Sequence, residues 1–80
     1  MRDRWMKYIV VDKWDPFIFP NNVTHSNFAF RMNIDEKNIT SAGFIRFING
    51  IECDGESLSL KIRSHPIEDT KLFEKLMTDD

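Results

Sequence analysis

Eighty residues with 41% hydrophobic and 30% charged content make one small domain. Seven Phe, two Trp and one Tyr exclude a disordered tail, and a single cysteine, Cys53, excludes an intrachain disulfide and fits a reducing cytoplasm. A net charge of -2 excludes the general electrostatic footprint of a nucleic-acid binder.

No apolar run is long enough to cross a bilayer, and the start of the chain lacks the apolar centre of a signal peptide, so a cytoplasmic location is expected. A chain this short has a thin core, and self-association is one common source of added support, so a homo-oligomer is expected. The charge is uneven. Arg2, Arg4 and Lys7 stand against Asp3 at the start, and Glu68, Asp69, Glu74, Asp79 and Asp80 stand against Lys71 and Lys75 at the end. The basic arm suits phosphate or an acidic partner; it equally suits a solvated terminus.

Residues 5–11 read as a first strand, and the unbroken run Tyr8-Ile9-Val10-Val11 predicts cover on both faces. Trp14-Asp15-Pro16 reads as a turn. Phe17-Ile18-Phe19, bracketed by Pro16 and Pro20, reads as a short edge strand, because proline cannot donate to a ladder. Residues 24–32 read as a short helix capped by Thr24 or Ser26, with Phe28, Phe30 and Met32 as its apolar surface. After the polar turn Asp35-Glu36-Lys37-Asn38, residues 39–48 read as a strand that ends at Asn49-Gly50, a strong hairpin signal. Residues 51–53 begin the return strand, and Asp54-Gly55 marks a bulge or second turn.

Residues 57–63 alternate, with Leu58, Leu60 and Ile62 expected inward and Ser57, Ser59, Lys61 and Arg63 outward, as in an antiparallel strand with one wet face. Ser64 is the expected N-cap of a last helix, with Pro66 in its first turn. Glu68 and Asp69 complement its positive end, and Leu72, Phe73, Leu76 and Met77 form its buried stripe. The expected fold is α+β: an antiparallel sheet of three to four strands, a C-terminal helix and one short internal helix, with the helices on one face.

Chemistry-bearing sets are sparse. Cys53, His25 and His65 are the only material for a Cys–His pair, without a local signature, and their spacing matches no zinc pattern. The pairs Asp35-Glu36, Asp54/Glu56 and Glu68-Asp69 fall in turns and at a helix start, where acids belong for structural reasons. Gly43, Gly50 and Gly55 form no phosphate loop. No enzyme, metal or cofactor is therefore expected. The candidate ligand face is Ser57, Ser59, Lys61 and Arg63 with Arg46 on a neighbouring strand and Ser41 nearby, a set of hydroxyls and cations suited to phosphate or carboxylate. A plain solvated sheet face is its alternative. The candidate protein interface is the aromatic segment Trp14, Phe17 and Phe19, with a core plug as its alternative.

Ser41-Ala42-Gly43-Phe44, Cys53-Asp54-Gly55-Glu56-Ser57-Leu58-Ser59-Leu60 and Ser64-His65-Pro66-Ile67-Glu68-Asp69 together resemble a pattern "SAGF, CxGES-SL, SxP-D" in small open reading frames of phages, prophages and bacterial mobile elements. Ile18-Phe19-Pro20 and Thr24-His25-Ser26 extend the likeness, which runs from Tyr8 to the last helix. The resemblance carries over no functional residues. It implies a context in which small acidic proteins act by blocking or sequestering a host component. The leading expectation is a phage-type accessory protein that interferes with a host factor, such as a defence protein, by contact. The alternatives are an oligomeric sponge for an anionic nucleotide messenger, with Arg46, Ser57, Ser59, Lys61 and Arg63 as its pocket, and a small nucleic-acid module using the basic arm.

Overall fold

A computed structural model describes residues 5–78. The basic residues Arg2 and Arg4 and the acids Asp79 and Asp80 lie outside the described residues.

The chain forms β1 (Met6–Val11), β2 (Asp15–Phe19), α1 (His25–Arg31), a 3-10 turn (Glu36–Asn38), β3 (Ile39–Phe47), β4 (Ile51–Asp54), β5 (Glu56–Ser57), β6 (Ile62–Arg63) and α2 (Pro66–Thr78). Four strands make an antiparallel sheet in the order β2-β1-β3-β4, and β5 and β6 make a separate two-stranded ribbon. The α+β class expected from the pattern is thus present.

Alternation along β1 sorts the core into two layers. Tyr8 and Val10 join Ile45, Cys53 and Phe73 on one face, with Leu72 of α2 packed against them. Ile9 joins Phe19, Ala29, Ile39 and Ala42 on the other, with Phe28 of α1 and Leu60 and Ile62 of the ribbon packed there. The two helices therefore cover opposite faces, where a single helical face was expected. The unbroken run in β1 is the sequence counterpart of this double cover.

Several local signals act as expected. Thr24 caps α1, its hydroxyl accepting from the Asn27 amide at 3.1 Å. Asn49 and Gly50 both take positive φ, 55° and 116°, in the β3–β4 connection. Strand β2 lies at the sheet edge with Pro16 inside it and Pro20 just past it.

Residues 57–63 depart from the expectation. Together with Glu56 they form two strands of two residues joined by a turn, with Leu58 at 80% exposure. The Ser57 hydroxyl accepts from the Leu60 amide at 3.1 Å, the Lys61 amide donates to the Ser57 carbonyl at 2.8 Å, and Lys61 sits at φ 60°. A serine side chain that captures a backbone amide offers the chain a turn in place of a ladder. The stripe on α2 is also narrower than expected. Phe73 is buried and Leu72 partly so, while Leu76 and Met77 are exposed.

The ribbon crosses to α2 beside Gly43, where an added Cβ would stand 2.6 Å from the Asp54 carbonyl oxygen and 3.0 Å from the Ser64 Cβ. Ser64 is buried there, its amide bonded to the Gly55 carbonyl at 3.0 Å, instead of serving as the N-cap. His65 precedes Pro66 at the helix start, and its amide is capped by the Asp69 carboxylate at 2.9 Å.

Candidate functional site

The sharpest local feature is the β1–β2 turn. Asp12 and Lys13 both hold positive φ, 52° and 69°, and the Trp14 amide closes the turn on the Val11 carbonyl at 3.1 Å. The turn lies one to two residues earlier than Trp14-Asp15-Pro16, and Asp15 and Pro16 belong to β2. Left-handed backbone costs a residue with a side chain about 1–2 kcal/mol, so the neighbours must hold it. They do. The Asp12 amide donates to the Asn38 carbonyl at 2.8 Å, and the Lys13 amide to the Thr40 hydroxyl at 3.0 Å. The Thr40 hydroxyl in turn donates to the Val10 carbonyl at 3.2 Å. Thr40 is the extra residue of a bulge, since Val10 pairs with Ser41 and Val11 with Ile39. This pinned turn holds Trp14 outward at 72% exposure.

Beneath Trp14, a cleft of about 880 Å³ runs between the turn, the start of β3 and α2. Its floor is polar and hydrogen-bonded. The buried Tyr8 hydroxyl donates to Asp69 Oδ2 at 2.5 Å, and the same oxygen accepts from the His65 amide. Ser41 Oγ and His65 Nδ1 lie 2.5 Å apart. Burial, and then the bond to Asp69, push the Tyr8 hydroxyl far above its ordinary pKa, so it remains a donor. The rim carries Lys13, Lys71 and Lys75 against Glu68. With the Asp69 carboxylate counted beside Glu68, the lining holds mixed charge around an exposed indole.

A hydroxyl bonded to an imidazole is part of a nucleophile–base arrangement. Here the nearby carboxylate serves Tyr8 and the backbone of His65 rather than its ring, and Ser41 is buried inside β3 at 3% exposure. The geometry locks the start of α2 to the sheet and leaves a recess above the lock. The signals that could have found it are a tyrosine inside an apolar strand, which needs a polar partner, and an acid four residues past His65.

Of the residues singled out as a ligand face, Arg46, Ser57 and Ser59 make contacts within the protein. Arg46 is half-buried, its Nε 2.8 Å from Glu52 Oε1 and its guanidinium 4.4 Å from the centre of the Trp5 ring. Ser57 is buried with its hydroxyl committed to the Leu60 amide and the Ser59 hydroxyl. Ser59 accepts from the Ser26 amide at 3.1 Å. Lys61 is exposed in the turn and Arg63 on β6. Of the aromatic set, only Trp14 is presented to solvent. Phe19 is 2% exposed and stacks on Phe28 at 4.1 Å, and Phe17 is half-buried against the same ring. Lys7 of the basic arm donates to the Val23 carbonyl at 3.0 Å.

Cys53 is buried, and desolvation pushes its thiol up to about 11, which leaves it unreactive near neutrality. His25 is buried beneath Phe19 and Phe44, and its Nε2 lies 2.9 Å from the Gly43 carbonyl oxygen. Among the described residues no cluster of three or more His, Cys, Asp or Glu side chains comes together, and no helix is long and apolar enough to cross a membrane. Compared with known proteins, the chain matches no family model, no curated protein and no solved structure.

Proposed function

We propose that the chain is a binding protein that acts by protein–protein contact and docks its partner in the cleft beneath Trp14. The observation that carries this reading is a large indole held in solvent by a strained, hydrogen-bonded turn above a recess. Strain of this kind clusters at binding sites, and tryptophan anchors dominate the energetics of protein interfaces. Lys13 and Lys71 on the rim favour acidic groups on the partner and raise its rate of encounter. The resemblance to phage-type reading frames supports an accessory role, in which the chain interferes with a host factor. Non-enzymatic action, a cytoplasmic setting and a homo-oligomeric form belong to the same proposal. They are supported by the occupied polar floor, the single free thiol and the small core.

Site-specific photocrosslinking tests the reading. A benzophenone amino acid at position 14 is expected to give a discrete adduct with one protein of a bacterial host lysate, while the same group at position 58, also exposed, gives none. An identical adduct pattern at the two positions, or none at position 14, would overturn it.

A further inference from the structure

The sheet order leaves two edges, and the sequence treats them differently. Strand β2 contains Pro16 and is closed by Pro20, a common way of blunting an edge. Strand β4 has no proline, and among the described residues no strand pairs with its outer side. All four of its residues, Ile51–Asp54, line a groove of about 530 Å³ whose far wall is the flank of α2: Pro66, Ile67, Thr70, Lys71 and Glu74. This groove lies on the other flank of α2 from the Trp14 cleft, with Lys71 shared between them.

We infer that this groove is a second docking surface, which takes an extended basic segment of a partner protein as an added strand on β4. A strand edge beside a helix flank supplies both halves of such recognition. The free backbone groups of the edge give affinity, and the helix wall reads alternate side chains. Along β4, Ile51 and Cys53 face the α2 side, so Glu52 and Asp54 face away from it. An incoming strand must therefore present apolar side chains toward α2 and polar ones toward the acids. Ile67, 73% exposed on the helix wall, provides the apolar contact.

Charge sets the sign of the partner. Glu52, Asp54 and Glu74 outnumber Lys71 even when Arg46, which pairs with Glu52, is counted beside it. The same charges disfavour a second copy of this chain. Antiparallel pairing of β4 with itself about Cys53 brings Glu52 of each copy against Asp54 of the other, and like charges facing each other across strands are destabilising. Four residues of edge make a short ladder, which suits a reversible contact.

The test is an NMR titration of the isotopically labelled full chain with the capped hexapeptide Lys-Val-Arg-Val-Lys-Val, with Glu-Val-Glu-Val-Glu-Val as its charge-reversed counterpart. Amide shifts are expected at residues 51–54 and on the 67–74 flank, with slowed hydrogen exchange in β4 and at least about tenfold weaker binding of the acidic peptide. Ile67→Ser should weaken the basic peptide about tenfold or more with the melting temperature kept, whereas Phe30→Ser, on α1 and 84% exposed, should leave binding unchanged. Equal binding of the two peptides, shifts centred on the Trp14 cleft, or no binding up to about 1 mM would each overturn the inference. So would concentration-dependent protection of β4 amides without any peptide, which would make a second copy the occupant.

Discussion

Removing one oxygen from Tyr8 probes the lock between α2 and the sheet. The ring of Tyr8 is fully buried and meets Phe73 edge-on, with centroids 5.4 Å apart, so Tyr8→Phe keeps the apolar packing. What it removes is the hydroxyl that donates to Asp69 Oδ2 at 2.5 Å. Asp69 is only 5% exposed and keeps the His65 amide as its donor on that oxygen. Hydrogen bonds to charged groups contribute about 1.5–3 kcal/mol, and a buried carboxylate left short of a donor lies toward the upper end, so the expected loss is about 2–3 kcal/mol. For a domain of this size that lowers the melting temperature by roughly 10–20 °C. Urea unfolding should show the midpoint falling with the slope unchanged. In an Asp69→Ala background the same Tyr8→Phe change should cost far less, giving a coupling energy above about 1 kcal/mol. A single-variant loss under about 0.5 kcal/mol, or simple additivity in the cycle, would refute the view that this pair fastens the helix.

Leu58→Ser should change stability by less than about 0.5 kcal/mol in a thermal melt, because the side chain is 80% exposed; a core leucine would cost about 2–5 kcal/mol. The His25 imidazole is held below its ordinary value of 6.5, first by burial and then by the nearby Lys7 charge, against an opposing pull from the Gly43 carbonyl. The unfolded chain therefore takes up a proton that the folded chain resists. The stability contribution is complete above pH 6.5 and declines as the pH falls below it, by up to about 1.4 kcal/mol per unit, and the matching slope should vanish in His25→Gln. Cys53, with its thiol pushed up to about 11, should resist a maleimide at pH 8 in the folded protein and react fully in urea; rapid labelling of the native state would refute its burial.

The elements that could be read from the residues are those set by local rules. Pro16 and Pro20 confine β2 to an edge, Thr24 supplies the oxygen that starts α1, and Asn49-Gly50 accepts the positive φ of the β3–β4 connection. The unbroken apolar run of β1 likewise announced a strand covered on both sides. Of the candidate site, Trp14 stood out as an apolar residue in excess of what a short edge strand can bury. Phe17 and Phe19 shared that pattern, and α1 buries them because Phe28 lies directly over Phe19.

Residues 57–63 show where pattern stops being sufficient. Leu60 and Ile62 do pack against the core, as the alternation implied, yet the same two contacts are met by a ribbon folded at Leu58. A period of two records which side chains want cover; it does not record which backbone groups have neighbours to pair with. Beyond Gly55 the chain runs over the α1 side of the sheet, and the Ser57 hydroxyl takes the Leu60 amide that a ladder would otherwise have used.

The residues alone determined the α+β class, the edge position of β2 and the Thr24 cap of α1, because each of these follows from torsional preference or side-chain chemistry within a few positions. Only the tertiary structure decided that α1 and α2 lie on opposite faces, that Tyr8 meets Asp69 across 61 residues of sequence, and that Trp14 stands over a recess while β4 stays open. Those outcomes depend on which distant surfaces exclude water together, and that is a property of the assembled layers, absent from any single stretch of chain.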